Sequence, residues 1–313
     1  MTLTKKFLLH ASVAIGLSAT VAAAPALAAN FSTSGPVTKY CSDGVNTFFD
    51  GQGGMSCNDS LSTILSGNSS APGGNLELND ATDGLTLTQF QAEPASTLTA
   101  DFDGHEVIFS SVTAADWFGG DLVTAYGDED LANLWFEDAL AAHGTTVRAR
   151  ASVLFGGPVT DAQLFNTFLL GVNVPGGVPL PVPFASKGGF QRFSDPNIAY
   201  VNKDEANSKI TFGLAGHQDA GDIFAGDPIL QPLFEDLFGS EVVKVSHNGE
   251  TNFFYSFAQP TDSGQVNKDG FSHNGNFEFM FEVGAKTPEP GTILGLMAVG
   301  GLFAATCRKS ARK

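Results

Sequence analysis

The chain has 313 residues, with 16 Lys and Arg against 33 Asp and Glu and a formal charge of −17. Residues 29–287, which lie between two basic ends, carry 10 Lys and Arg against 32 Asp and Glu, a net of −22. Such a surface repels nucleic acid and anionic lipid, and 27 Phe supply more core than a disordered chain possesses.

At the N-terminus Lys5 and Lys6 precede an apolar stretch from Phe7 to Ala24, which closes on Ala26-Leu27-Ala28. Basic residues, an apolar run and a small-residue exit in that order read as a signal peptide, with Ala26 and Ala28 filling the small pockets of signal peptidase. Residues 1–28 are therefore set aside from the fold. About 260 residues remain, enough for one large β domain or two small ones. The sequence is read as one secreted β-rich ectodomain, 29–286, with a loop boundary near 66–74 at "SGNSSAPGG".

Cys41 and Cys57 lie 16 apart in the exported part, and Cys307 lies in the basic C-terminal region. The expected pairing is a Cys41–Cys57 disulfide in an oxidising compartment. Free buried thiols or a metal site are the alternatives, although a metal site would want more Cys and His nearby.

In chain order, "LTLTQF" (85–90) alternates as a strand, and "HEVIFSSVT" (105–113) is a second strand. "DEDLANLWFEDALAAHG" has Leu131, Leu134, Trp135 and Ala139 at helical spacing, predicting a helix over 128–142 that ends near Gly144. "TTVRARASVLF" then alternates Val147, Ala149 and Ala151 against Arg148 and Arg150, predicting a strand. A Thr/Asp cap opens a second helix over 160–170. "VPGGVPLPVPF" (174–184) holds four prolines and reads as an extended connection. "NIAYVNKDEANSKITFGLAGH" reads as a hairpin turning near Asp204–Asn207, and a third helix is expected over 227–238 around Pro232. Two alternating runs flank Asn248-Gly249, the preferred pair for a type I′ turn, so a tight hairpin follows. "NFEFMFEVG" (276–284) sets Phe277, Phe279, Phe281 and Val283 against Glu278, Met280 and Glu282, a half-buried last strand. The sum is a mainly β fold, an antiparallel β-sandwich or jelly-roll-like domain with two or three short helices; the alternative is α+β.

Few constellations suggest chemistry. "DFDGHE" places Asp101, Asp103 and Glu106 around Gly104 in the manner of a small calcium loop. Position 12 of an EF-hand would be Val112, however, and a solvated acidic turn explains the same residues. "GHQDAGDIFAGD" offers His217, Asp219, Asp222 and Asp227 and reads equally as an ordinary loop. His105, His143, His217, His247 and His273 make no close metal spacing. His143 is read as a helix-end cap and His247 and His273 as turn flanks. Asp116-Trp117 and Trp135 offer a sugar platform or, more simply, core. There is no G-x-S-x-G, so no catalytic residue is assigned and the chain is read as a non-enzyme. Calcium is the one cofactor under consideration. A carboxylate pair for glycoside hydrolysis is not legible in sequence, which keeps a secreted hydrolase as a third reading.

The chain ends in "TPEPGTILGLMAVGGLFAATCRKSARK". Gly291–Cys307 is uncharged and would span ~25 Å as a helix, near the lower limit for a bilayer core. Arg308, Lys309, Arg312 and Lys313 would hold its far end in the cytoplasm. The Pro288-Glu289-Pro290 triplet, apolar span and basic cluster resemble the PEP-CTERM sorting signal of bacterial envelope proteins, in the form common in cyanobacteria. "DPNIAYVNKDEANSKITFGLAGHQDA" is similar to a segment of one subset of such proteins whose activity is unknown. The resemblance implies a tail over 287–313, with Pro288, Glu289 and Pro290 recognised by an exosortase-like processing enzyme. The expectation is an exported envelope or extracellular-matrix protein, anchored in the inner membrane by its C-terminal helix before processing. Its role would be structural, in surface polysaccharide or biofilm, with exopolysaccharide and the two processing enzymes as partners. A polysaccharide- or calcium-binding module is the alternative.

Overall fold

The computed structural model describes residues 29–79, 85, 87–102, 104–170, 189–204, 208–227 and 229–283. The signal peptide, the proline-rich connection 174–184, Asp103 and the tail 287–313 lie outside the described residues. In chain order the first elements are β1 (Asn30–Ser34), β2 (Val37–Ser42), β3 (Asn46–Phe48), α1 (Leu61–Ile64), β4 (Gly67–Asn68), β5 (Ala71–Pro72) and β6 (Gly74–Leu78). There follow α2 (Leu87–Ala92), β7 (Thr97–Phe102), β8 (His105–Ser110), α3 (Ala114–Phe118), α4 (Leu131–Leu154) and α5 (Asp161–Leu170). The last are β9 (Asn197–Asp204), β10 (Lys209–Gly216), α6 (Leu230–Phe234), β11 (Val243–His247), β12 (Glu250–Phe254), β13 (Thr261–Asp262), β14 (Val266–Asn267) and β15 (Gly275–Glu282).

The fold is mainly β. One sheet runs β1-β7-β8-β11-β12 and the other β13-β15-β10-β9-β6-β2-β3-β14, with β4-β5 as a separate pair. Ladders are antiparallel except for β3–β14. Alternation puts Leu98, Phe109, Val245 and Phe254 of the smaller sheet against Leu76, Phe212 and Phe279 of the larger, in one buried core. Phe212 meets Phe109 at 5.1 Å, Phe254 at 5.4 Å and Phe279 at 5.2 Å between ring centres, so one side chain joins both sheets. The predicted hairpins are present: Lys209 pairs with Asp204, and Asn248 (φ 53°) and Gly249 (φ 80°) take the left-handed conformations a type I′ turn demands. Phe277, Phe279 and Val283 are buried and Glu278, Met280 and Glu282 exposed, as the last strand's alternation requires.

A second core, rich in aromatic rings, lies beside the sandwich and is built by the helices. Trp135 is its centre, with Phe193 at 4.7 Å, Phe168 at 5.2 Å and Phe257 at 5.2 Å. This layer corrects two strand assignments. Residues 87–92 form α2, because Phe90 and Leu87, three apart, both reach the helical core. Residues 145–154 continue α4 through all 24 residues, because Ala139, Val147 and Ala151 are buried at multiples of four while Ala149 is exposed. The arginines are satisfied from the helix: Arg148 grips Asp161 at 2.7 and 3.0 Å, and Arg150 donates to the carbonyls of Leu233 and Glu235. Gly144 sits inside the helix instead of ending it; a Cβ there would lie 2.6 Å from the Arg148 guanidinium. The helices number more than two or three, and the longest is not short. The third expected helix shrinks to α6, where Asp227 Oδ1 accepts from the amides of Ile229 and Leu230 and Pro232 falls in the first turn.

The 66–74 segment is strapped onto the large sheet. Its β4–β5 pair accepts from Asn202 at Gly67, from Asn276 at Ser69 and from Gln265 at Pro72. Beneath it Tyr200 donates to Glu278 at 2.6 Å and lies across Gly213, where a Cβ would come within 2.2 Å of the ring. Burial, reinforced by the Glu278 carboxylate, lifts the Tyr200 phenol well above its ordinary value.

Cys41 and Cys57 form the expected disulfide, and both sulfurs lie in the sandwich core. A loop of 16 residues loses about 3 kcal/mol of unfolded-state entropy on closure. The C41S/C57S variant is expected to unfold at lower urea concentration, corresponding to a loss of about 3 kcal/mol. An unchanged midpoint would mean the covalent link is redundant with the packing around it.

Candidate functional sites

The topology gives the sandwich two unlike ends. At one, the helical layer is knitted to the strands: the amides of Val112 and Val242 donate to Ser194 O and Phe193 O, both at 2.9 Å. At the other lie the β7–β8, β9–β10 and β11–β12 turns. The described chain leaves there too, since the Val283 amide donates to Ser208 O at 2.7 Å.

The sequence-predicted candidates fall on both ends. Asp101 Oδ1 accepts from the Gly104 amide at 2.7 Å, so this carboxylate closes the β7–β8 turn, with Glu106 opposite Asp101 in the ladder. Just before α6, Asp227 Oδ1 accepts from the amides of Ile229 and Leu230, and Asp219 Oδ1 accepts from the Gly221 amide at 2.8 Å to open the short helical turn Ala220–Phe224. Among the described residues, no group of three or more His, Cys, Asp and Glu side chains is placed to hold a metal ion.

The tryptophans are core. Trp117 and Trp135 are both fully buried, so the sugar platform is withdrawn. Asp116 is occupied in the capping box of α3 and in an ion pair with Lys244 at 2.9 Å. Trp117 Nε1 donates to Ser194 Oγ at 2.8 Å, whereas Trp135 Nε1 is buried without a partner. Trp135 also lines a small apolar recess with Phe136, Ala139, His143, Phe234 and Phe257. His143 is inside α4, not at its end, and donates from Nε2 to Phe238 O at 2.8 Å. These indoles yield a contrast. Replacing Trp117 by Phe strands an acceptor, while the same change at Trp135 removes an unpaired donor. W117F is expected to cost about 1 kcal/mol more than W135F in urea unfolding; equal costs would show that Trp135 Nε1 has a partner in solution.

His217 and His273 are brought together with Asp269, although no spacing in the sequence suggests it. His273 sits against Tyr40 at 4.6 Å and shares a 2.8 Å hydrogen bond between Nδ1 and Thr47 Oγ1. Burial pushes His273 down to about 3, helped by His217; burial pushes His217 down to about 4, against the pull of Asp269 and Asp219. Both imidazoles are therefore neutral in the folded chain at neutral pH, and their reading is structural. An unfolded histidine titrates near 6.5. As pH falls below that value the unfolded state takes up protons that the folded state refuses, so stability falls until the folded values are reached. His273 alone is expected to contribute a slope of about 1.4 kcal/mol per pH unit between 6.5 and 4. H273N, which suits the left-handed φ of 66°, should flatten the pH dependence of urea midpoints; an unchanged slope would place the acid sensitivity elsewhere.

The third pairing lies at the hairpin end. His105 and His247 are 142 positions apart in sequence, yet their rings are 6.5 Å apart between centres on adjacent strands β8 and β11. Strand pairing, invisible to local spacing, makes this contact.

A folded, disulfide-bonded domain that ends its last strand at Glu282 and continues into a short segment rich in proline, apolar and basic residues has the plan of an exported protein with a sorting tail. The PEP-CTERM protein-sorting motif matches residues 286–310. The chain thus carries that motif, which marks an exported, envelope-associated protein sorted by an exosortase-like enzyme. No curated protein and no solved structure matches the chain. No helix among the described residues is long and apolar enough to cross a membrane; the run 291–307 lies outside them.

Proposed function

We propose that this chain is a non-enzymatic building element of the cell surface, delivered by its two ends. Signal peptidase removes residues 1–28 after Ala28. The apolar run 291–307 then holds the exported domain in the inner membrane, with Arg308, Lys309, Arg312 and Lys313 on the cytoplasmic side. An exosortase-like enzyme grips Pro288-Glu289-Pro290, which two prolines keep extended beside the membrane. The released or transferred ectodomain works in surface polysaccharide or biofilm architecture.

The observation that carries this reading is the motif match, beginning three residues after Val283, the last described residue. In sequence the triplet begins six residues after Glu282, the end of the last strand. The −22 charge of residues 29–287 supports a soluble life outside the cell and discourages contact with anionic lipid.

The intact mass of protein recovered from envelope and medium of the native host tests the route. A species beginning near Ala29 and ending near Pro288–Pro290 is expected. A species that keeps Gly291–Lys313 would make the tail a plain anchor and remove the sorting step from the reading.

A further inference from the structure

His105 and His247 stand on one face of the smaller sheet, in line with the buried Val107, Phe109, Val243 and Val245, but beyond the edge of the core. His105 is exposed and His247 half-buried. His247 Nδ1 is 2.8 Å from Glu106 O, and a carbonyl can only accept, so Nδ1 carries the proton. The lone pair is then on Nε2, which accepts from Asn248 Nδ2 at 2.9 Å at the exposed turn. A ligating histidine is oriented in this way at one nitrogen, pinned to a backbone carbonyl, and a metal ion at Nε2 would displace the exposed Asn248 amide that occupies it here. The turn fixes this arrangement, because Asn248-Gly249 closes the hairpin immediately after His247.

We propose that His105 and His247 form a two-imidazole site for a late first-row divalent cation, of the class of Zn²⁺ or Cu²⁺. Nitrogen at about 2.0 Å from such an ion puts two ligating rings about 5–6 Å apart between centres. The observed 6.5 Å with planes inclined at 49° is reached from that by small side-chain rotations. Imidazole suits these metals, whereas calcium and magnesium prefer oxygen. Glu250 lies directly opposite His247 in the β11–β12 ladder, so a carboxylate on the same face lowers the cost of bringing in a dication. Two protein nitrogens leave the remaining coordination positions to water or to an outside donor, as in open rather than closed metal sites.

The test is titration of the full-length chain, purified in detergent without a histidine tag, with Zn²⁺ by calorimetry and with Cu²⁺ by electron paramagnetic resonance. One Zn²⁺ per chain is expected, with affinity falling at least tenfold in both H105A and H247A and unchanged in H143A. The Cu²⁺ spectrum should show coupling to two imidazole nitrogens in the parent chain and fewer in either variant. Ca²⁺ should not compete. Zn²⁺ binding that survives both substitutions, or that Ca²⁺ displaces, would assign the cation to surface carboxylates and overturn the site. His105 opens β8 and His247 ends β11, and matching thermal unfolding of the variants and parent separates loss of the site from loss of the fold.

Discussion

The backbone between Phe193 and Asn197 is where the two cores become one molecule. Phe190 and Phe193 point into the aromatic core, and Ile198 points into the sandwich. Between them the carbonyls of Phe193, Ser194 and Pro196 accept from Val242, Val112 and Leu78, and the Asn197 amide donates to Glu241 Oε2 at 2.8 Å. Buried backbone groups that lose water must find such partners, and here partners on β6 and just outside β8 and β11 find them on one short segment. Trp117 adds a side-chain bond to the same Ser194. The helical layer is thereby fixed to the ends of interior strands as an integral part of the fold.

Much of the sandwich was legible in the sequence because its signals are local. Asn248-Gly249 between alternating runs, and the Phe alternation of β15, each name a structure from a few adjacent residues. The errors came where two periods coincide. Val147 and Ala151 are four apart, which satisfies a strand and a helix equally, and only Ala149 separates the two readings. Its exposure is decided by Arg148 and Arg150 finding Asp161 and the α6 carbonyls, contacts no local window contains. The segment Leu87–Ala92 went the same way, since Phe90 is drawn by Phe118 of α3, which itself packs on Phe190. The tryptophans could not be placed from sequence because burial is a property of the assembled layer.

The address was readable and the workplace was not. Pro288-Glu289-Pro290 and its basic end form a contiguous signal, and the match over 286–310 rests on it. The ectodomain's polar groups acquire meaning only through pairing. Asp101, Asp219 and Asp227, which look alike as acids in glycine-rich stretches, each turn out to terminate a local hydrogen-bonding pattern. His105 and His247, which look unrelated, are neighbours. In this chain the acids that attract the eye build turns, while the histidines with chemistry to offer are dispersed in sequence and gathered by the topology.

The departure of the chain beside Ser208 also gives the domain a direction. Strands of eight residues extend about 26 Å, and the tail leaves from the turn end of β10 and β15. The last described residue therefore stands among the three hairpin tips, including the histidine pair, while the aromatic helical layer rides at the far pole. The two poles thus offer unlike surfaces, tight turns at one and helices at the other.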